Sequence, residues 1–418
     1  TLRDAETLVR DNPSLSGYAH AAVLISALPL RTKGVMKDID PDSTDRTRRE
    51  RISAAEAELA KASATSEFSA AVLAAWNCSF GRYSEKWRDP ADLRRRFPDS
   101  ILLKYEVAIC GEAKEDVLEE ILADEPGFAE ALYHLGEAAL GERQMFKAER
   151  RLLEAFQAIP ESPQPRILLA GIYFATEEFE KGIQFFDLTL AVSPGYRDAL
   201  LGKAICLSYL RRYEESMEVL NEILRLGYWL IGEGHYWLAM NLHELKRDAD
   251  ALGHVEEAKG RLPTNPHVWS LGGTIALEAA DLDRAEKDFT EALKYDPVDT
   301  ESLFGLGTIH TRRANWALAG EYFDKAGTAY AGEKAALLAA VGEIEASPLA
   351  AERKARLVRR KRSQIEKTDL TGATSFYNAA AAYFNAGLKG KAELSAERAL
   401  AHPEVKDKAE EILRSIRK

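Results

Sequence analysis

Read only for apolar and polar positions, the middle of this chain shows one pattern again and again: helices with apolar residues at i, i+3, i+4 and i+7. Leu132, Leu135, Gly136 and Ala139 make one such stripe, and Ala148, Leu152, Ala155 and Phe156 make the next. The stripes come in pairs, and the pairs are in phase. Gly136, Ala170, Ala204, Ala239, Gly273 and Gly307 put a small residue at the same point of six successive units. Twelve residues on, the column is small again, with Ala148, Gly182, Ser216, Ala251, Ala285 and Ala319. Four beyond that it is large and apolar each time, with Leu152, Phe186, Leu220, Val255, Phe289 and Phe323. Pro160, Pro194, Pro263 and Pro297 close four of the units, where a ring without an N–H ends the second helix. Neither helix can bury its stripe alone, so neighbours must stack, and the small residues mark where helices cross at short distance.

A period of 34 residues with these columns resembles the tetratricopeptide repeat, or TPR. The resemblance implies an all-α fold: a right-handed α-solenoid of about nine stacked helix-turn-helix units, divergent at both ends. Residues 129–333 hold the six in-phase units. Residues 67–128 read as divergent units, the first carrying Leu73, Gly81, Tyr83 and Pro98, the second Ile101, Tyr105, Leu118 and Ile121. Residues 1–66 read as helices split by a polar linker at 31–45. After Glu333 the phase is lost, and 334–372 reads as an irregular pair: an apolar helix at 335–346, a break at Ser347 and Pro348, then a charged helix to about residue 367. Residues 373–418 hold a last unit and a polar capping helix.

Composition narrows this picture. A chain of 418 residues that is 46% apolar and 29% charged can bury a large core. A formal charge of −11 argues against nucleic acid as the main partner, because phosphate binding needs a basic face. Cys78, Cys110 and Cys206 are an odd number, far apart and in apolar stretches, and so are expected to be buried free thiols. No apolar run reaches the roughly 20 residues that span a bilayer. The first residue is Thr1 and not Met. We therefore expect a segment removed upstream, with a soluble remainder that is cytoplasmic or periplasmic, an envelope lipoprotein being one form. Membrane contact would come only through such an anchor or through the basic helix described below, and the oligomeric state is left open.

Chemistry has little to attach to. The nucleotide-binding, zinc-protease, serine-hydrolase and dithiol signatures do not occur, so the chain reads as a non-enzyme without a cofactor. His235, His243 and His254 are spaced by eight and eleven residues over two helices and do not form a metal-ligand set; no metal is expected. Asp38, Asp40 and Asp42 alternate as in a calcium loop, but Ser43 stands where glycine is needed and Arg49 where a bidentate glutamate is needed.

Two features point to partners. The TPR resemblance implies that the first helix of each unit lines a concave groove. The inward positions include Tyr133, Glu137, Phe174, Ile205, Tyr209, Tyr236, Trp237, Met240, Phe304 and Thr308: aromatic, with acidic flanks. Large amphipathic side chains on a rigid surface suit a protein or peptide ligand, so the expected function is a binding scaffold that recognises a peptide or helix. An accessory role in an envelope assembly or secretion complex is the alternative. Apart from Asn378, the asparagines of the chaperone carboxylate clamp and of the O-GlcNAc transferase ladder are missing from the matching columns, which read Glu137, Thr274 and Thr308 for the first and His134, Leu168, Gly202, Trp237, Leu271 and Gly305 for the second. The other feature is basic. Arg353, Lys354, Arg356, Arg359, Arg360, Lys361 and Arg362 crowd one helix of an acidic protein. Either they grip an anionic partner, or they pair with Glu343, Glu345, Glu352, Glu366 or the acidic surfaces of neighbouring units.

Overall fold

The computed structural model describes residues 70–71, 95–110, 114–160, 162–227 and 230–417. The expected N-terminal helices, the acidic Asp38–Asp42 run, Cys78 and most of the first divergent unit lie outside the described residues. Among those described, the chain forms seventeen helices and no strand. It divides into two compact units, Thr1–Ile172 and Tyr173–Lys418.

In the first unit α1 (Ile101–Cys110) and α2 (Lys114–Asp124) precede the pair α3 (Ala129–Gly141) and α4 (Met145–Ala158). Tyr105, Leu118, Ile121, Phe128, Leu132 and Leu135 bury one another in a single cluster. The pair α1 and α2 thus packs onto α3 through these residues. Helix α5 spans Pro163–Ala175.

The second unit continues with α6 (Phe179–Val192), α7 (Arg197–Tyr209), α8 (Tyr213–Leu226), α9 (Ile231–Glu244), α10 (Asp248–Arg261), α11 (Pro266–Glu278), α12 (Leu282–Tyr295) and α13 (Thr300–Arg312). Each helix packs on the next, and the first helices of successive repeats, α7, α9, α11 and α13, also pack on one another. The small-residue column explains the close fit. A Cβ on Gly273 would sit 2.6 Å from the Phe289 ring and one on Gly305 2.4 Å from its other edge, so the ring is slotted between two repeats where only hydrogen fits. Phe289 is 1% exposed.

The turns inside the repeats share one geometry. Arg143, Glu177, Arg211, Lys246, Ala280 and Ala314 all have φ near +60°, and Gly387 takes the same place in the last unit. The residue after each donates its N–H to a carbonyl five back, as from Glu178 to Tyr173 and from Asp281 to Ala276. This is the Schellman end of the first helix, in which a left-handed residue turns the chain back while capping the helix carbonyls. The sequence carries no glycine signal for six of these seven turns, so the cap is enforced by packing.

Beyond α13 the structure departs from the expected elements. α14 runs unbroken from Trp316 to Ala346 and α15 from Ala351 to Asn385. No helix starts near 335, and none ends near 367. The reason is compositional: where the next in-phase proline would fall stands Ala331, and residues 329–340 are mostly strong helix formers. The two long helices pack on each other along a hairpin whose bend is the expected Ser347 and Pro348. Val341, Ile344, Leu357 and Val358 are buried near its tip. α16 (Lys389–Ala399) and α17 (Pro403–Ile416) pack against the C-terminal part of α15.

Candidate functional site

The second unit gathers aromatic side chains from three repeats into one continuous row. The Phe174 ring, at the end of α5, lies 5.9 Å from Phe179 and 6.0 Å from Tyr209. Phe179 and Tyr209 stack face to face, 4.9 Å apart and 4° from parallel. Tyr209 meets Trp237 at 5.8 Å, and Trp237 meets Tyr236 at 5.4 Å, both edge-on. Phe174, Tyr209, Tyr236 and Trp237 were expected from their repeat positions. Phe179 was not, because it opens a second helix and falls outside the inward columns.

The row is graded in burial. Tyr209 is 56% exposed, whereas Trp237 packs onto the cluster around Leu220 and Leu238, and Tyr236 with Met240 onto the cluster around Leu242 and Val255. Burial, then the charge of Glu301, drives the Tyr236 hydroxyl far above the ordinary phenol range. Ile205 is half-buried one turn before Tyr209. Phe304 instead turns into the apolar cluster of Phe323 and Tyr383, its ring 5.2 Å from Phe323, and Thr308 donates its hydroxyl to the Phe304 carbonyl at 3.0 Å. In the first unit Tyr133 and Glu137 meet directly: the Tyr133 hydroxyl donates to Glu137 Oε1 at 2.9 Å.

At one end of the row sits an acidic turn, Glu177 and Glu178, and the basic helix lies on it. Arg353 Nε donates to Glu178 Oε1 at 2.8 Å, its Nη2 bonds the same oxygen, and Arg356 Nη2 reaches Glu178 Oε2 at 3.1 Å. Lys361 Nζ donates to Glu177 Oε1 at 2.5 Å, and Gln364 Nε2 bonds both Glu177 oxygens at 2.9 and 2.8 Å. Arg360 donates to the Glu177 carbonyl. The Glu178 side chain is 6% exposed and that of Arg353 16%. Burial alone would raise the two carboxyls, but hydrogen bonds from Lys361 and Gln364 to Glu177, and from Arg353 and Lys181 to Glu178, outweigh it and hold both below the usual range. The Arg353 guanidinium also stands 5.7 Å over the Tyr173 ring, which stacks on Phe185 at 5.4 Å. Of the remaining basic residues, Arg362 reaches Glu345 at 3.5 Å from an exposed position and Arg359 is exposed. Glu345 was among the partners expected from sequence, whereas Glu177 and Glu178 belong to the wider acidic surface of another repeat.

The histidines are brought together in two places. His235 Nδ1 and His254 Nδ1 are 2.8 Å apart between α9 and α10, and burial lowers the pKa of both. His243 goes elsewhere: its Nδ1 pairs with Asp248 Oδ1 at 2.7 Å and its Nε2 faces Glu278 at 3.9 Å. The two carboxylates approach different ring nitrogens and Lys246 neutralises Glu278 at 3.3 Å, so the group fixes the ring. Cys206 is fully buried, its thiol pushed up to about 12 by burial and then by the charge of Glu180, as an inert packing residue.

Comparison with known proteins agrees with this architecture. Residues 271–334 match the family model described as tetratricopeptide repeat. Over that stretch the chain carries the tetratricopeptide repeat. TPR folds are protein-interaction scaffolds in general. Protein O-mannosyl-transferase TMTC1 of Homo sapiens is 24% identical over 204 residues, which is 47% of this chain and 22% of that protein. The chain therefore spans about a fifth of that curated relative's length. Among solved structures, YrrB, titled a TPR protein with an unusual peptide-binding site, is 22% identical over 43% of this chain and 91% of its own, with a TM-score of 0.34. A TPR protein of Parabacteroides merdae is 14% identical over 66% and 99% respectively, with a TM-score of 0.43.

Proposed function

We propose that this protein is a non-enzymatic scaffold that holds a peptide or helix of a partner protein on the first-helix side of its second unit, with the aromatic row as the contact. The observation that carries this is Tyr209: it is more than half exposed, yet its ring is held in place by Phe179 stacked beneath it and Phe174 and Trp237 beside it. A rigid, accessible aromatic surface binds at small entropic cost, because its rotamers are already chosen. The packing of α7, α9 and α11 on one another supports reading the first helices as the inner layer of the array.

The test compares wild type, Tyr209→Ala and Tyr209→Phe in co-purification from extracts of the native organism, followed by titration of the recovered partner. Loss of about 2 kcal/mol, roughly 30-fold in affinity, is expected for Tyr209→Ala and a small change for Tyr209→Phe. Equal binding by all three would overturn the reading.

A further inference from the structure

The acidic turn at the end of the aromatic row is a seat for a basic helix, and the chain shows what such a ligand looks like by placing its own there. Arg353, Arg356, Arg360, Lys361 and Gln364 recur at i, i+3, i+7, i+8 and i+11, which is one face of a helix, and all five bond Glu177 or Glu178. The seat has an apolar wall as well. Tyr173 lies under Arg353, and Phe174 and Phe179 flank the turn in sequence. Seat and row adjoin, since Phe179 follows Glu178 in the chain and its ring stacks on Tyr209 at 4.9 Å.

We infer that residues 353–364 are a displaceable occupant of this surface, and that the external partner is a helix carrying the same stripe of arginine and lysine with apolar residues beyond it. The inference rests on the aromatic row being a binding surface. Three physical points support it. The contact joins segments 175 to 187 residues apart and is made by long polar side chains, whereas the apolar packing of α14 and α15 is with each other and with α13, α16 and α17. Charge–charge contacts of this kind exchange one cation for another without repacking a core. Buried Glu178 and its neighbour Glu177 set two carboxylates against Lys181 of the same repeat, which pairs with Glu178 at 3.1 Å, so the seat selects a basic replacement over a neutral one. An intramolecular helix also has a high effective concentration, so a competitor must add contacts that the resident lacks. The aromatic row continues past Glu177 toward Tyr209 and Trp237 and supplies them.

The experiment uses the full chain and, as probe, a fluorescein-labelled synthetic peptide of residues 351–367, titrated at low and high salt. In a strap-released variant, Arg353→Gln with Arg356→Gln and Lys361→Gln, the peptide should bind about tenfold or more tightly than to wild type, because the resident no longer competes. Adding Glu178→Gln and Glu177→Gly to that variant should abolish the gain. Glycine at 177 suits the left-handed backbone there, so the loss cannot be ascribed to a disrupted turn. Hydrogen exchange over 197–312 serves as the folding control. Equal peptide affinity in wild type and the strap-released variant, or a gain that survives Glu177→Gly with Glu178→Gln, would overturn the inference. If Tyr209→Ala loses the native partner while strap release changes nothing, the aromatic row stands and the strap does not. If strap release works as stated but Tyr209→Ala keeps its partner, the seat stands and the row does not.

Discussion

The repeats at 197–312 and the hairpin of α14 and α15 are made by the same chain from the same kinds of helix, yet they are held in different ways. In the repeats every second helix stops after 14 residues and the next first helix returns across it, so each apolar side chain finds its partner within about one period. Phe289 between Gly273 and Gly305 is the example. In the hairpin the helices run for 31 and 35 residues, and its basic end meets the rest of the unit through carboxylates far away in the chain. Local apolar packing is insensitive to salt and pH, whereas a remote ionic contact depends on both. The difference separates the part of the molecule that provides stiffness from the part that can let go.

The largest expected effect is in the repeats. Phe289→Ala should lower unfolding stability by about 3–5 kcal/mol, since a cavity opens between two repeats that cannot collapse onto it. Lys361→Gln at the hairpin should lower it by about 1–2 kcal/mol, and that deficit should shrink at high salt while the Phe289 deficit does not. Denaturant titrations of both variants in low and high salt check this. A salt-independent Lys361 effect would erase the comparison.

Acid should separate the two regions next. The pKa of each of His235 and His254 is lowered from its ordinary value of 6.5 by burial; each then feels its charged neighbours, His254, Glu257 and Arg261 for the first, and Asp250 and Glu257 for the second. The unfolded chain therefore binds more protons than the folded one, and stability is lost as pH falls below about 6.5. The carboxyls of Glu177 and Glu178 are held below 4.5, so their contribution is complete at higher pH and is lost only as pH falls through their lower folded values. Hydrogen exchange followed from pH 7 to pH 4 should show α9 and α10 opening before residues 351–367. The reverse order would contradict both assignments.

The smallest effect lies in the turns. Ala280→Gly and Ala314→Gly should each raise stability by about 0.5–1 kcal/mol, because glycine accepts the left-handed φ that alanine holds under strain. Thermal melts of the single and double variants measure this, and a loss would mean that the methyl groups contribute contacts.

Much of the fold was legible. The columns of small residues identified helix crossings, and the Gly273 and Phe289 positions meet as their columns require. The aromatic row of the candidate site was legible in part. Phe174, Tyr209, Tyr236 and Trp237 sit in the row, but repeat position alone could not tell that Phe304 would turn into the Phe323 cluster, since both outcomes use the same helix face. Phe179 was missed because the inward columns cover first helices only. The continuity of α14 could have been read from Ala331, which stands where a proline would end the helix.

By itself, the sequence determined the period, the helices and the short-range packing between repeats, because these depend on residues within about 34 positions of one another. Only the tertiary structure decided what the basic run does. Seven cations on a helix pair equally well with any carboxylate that reaches them, and nothing local distinguishes Glu177 and Glu178 from the other acids of the chain. Their selection is set by where two long helices point after the repeats have stacked, a sum of many small geometric terms that no single residue encodes.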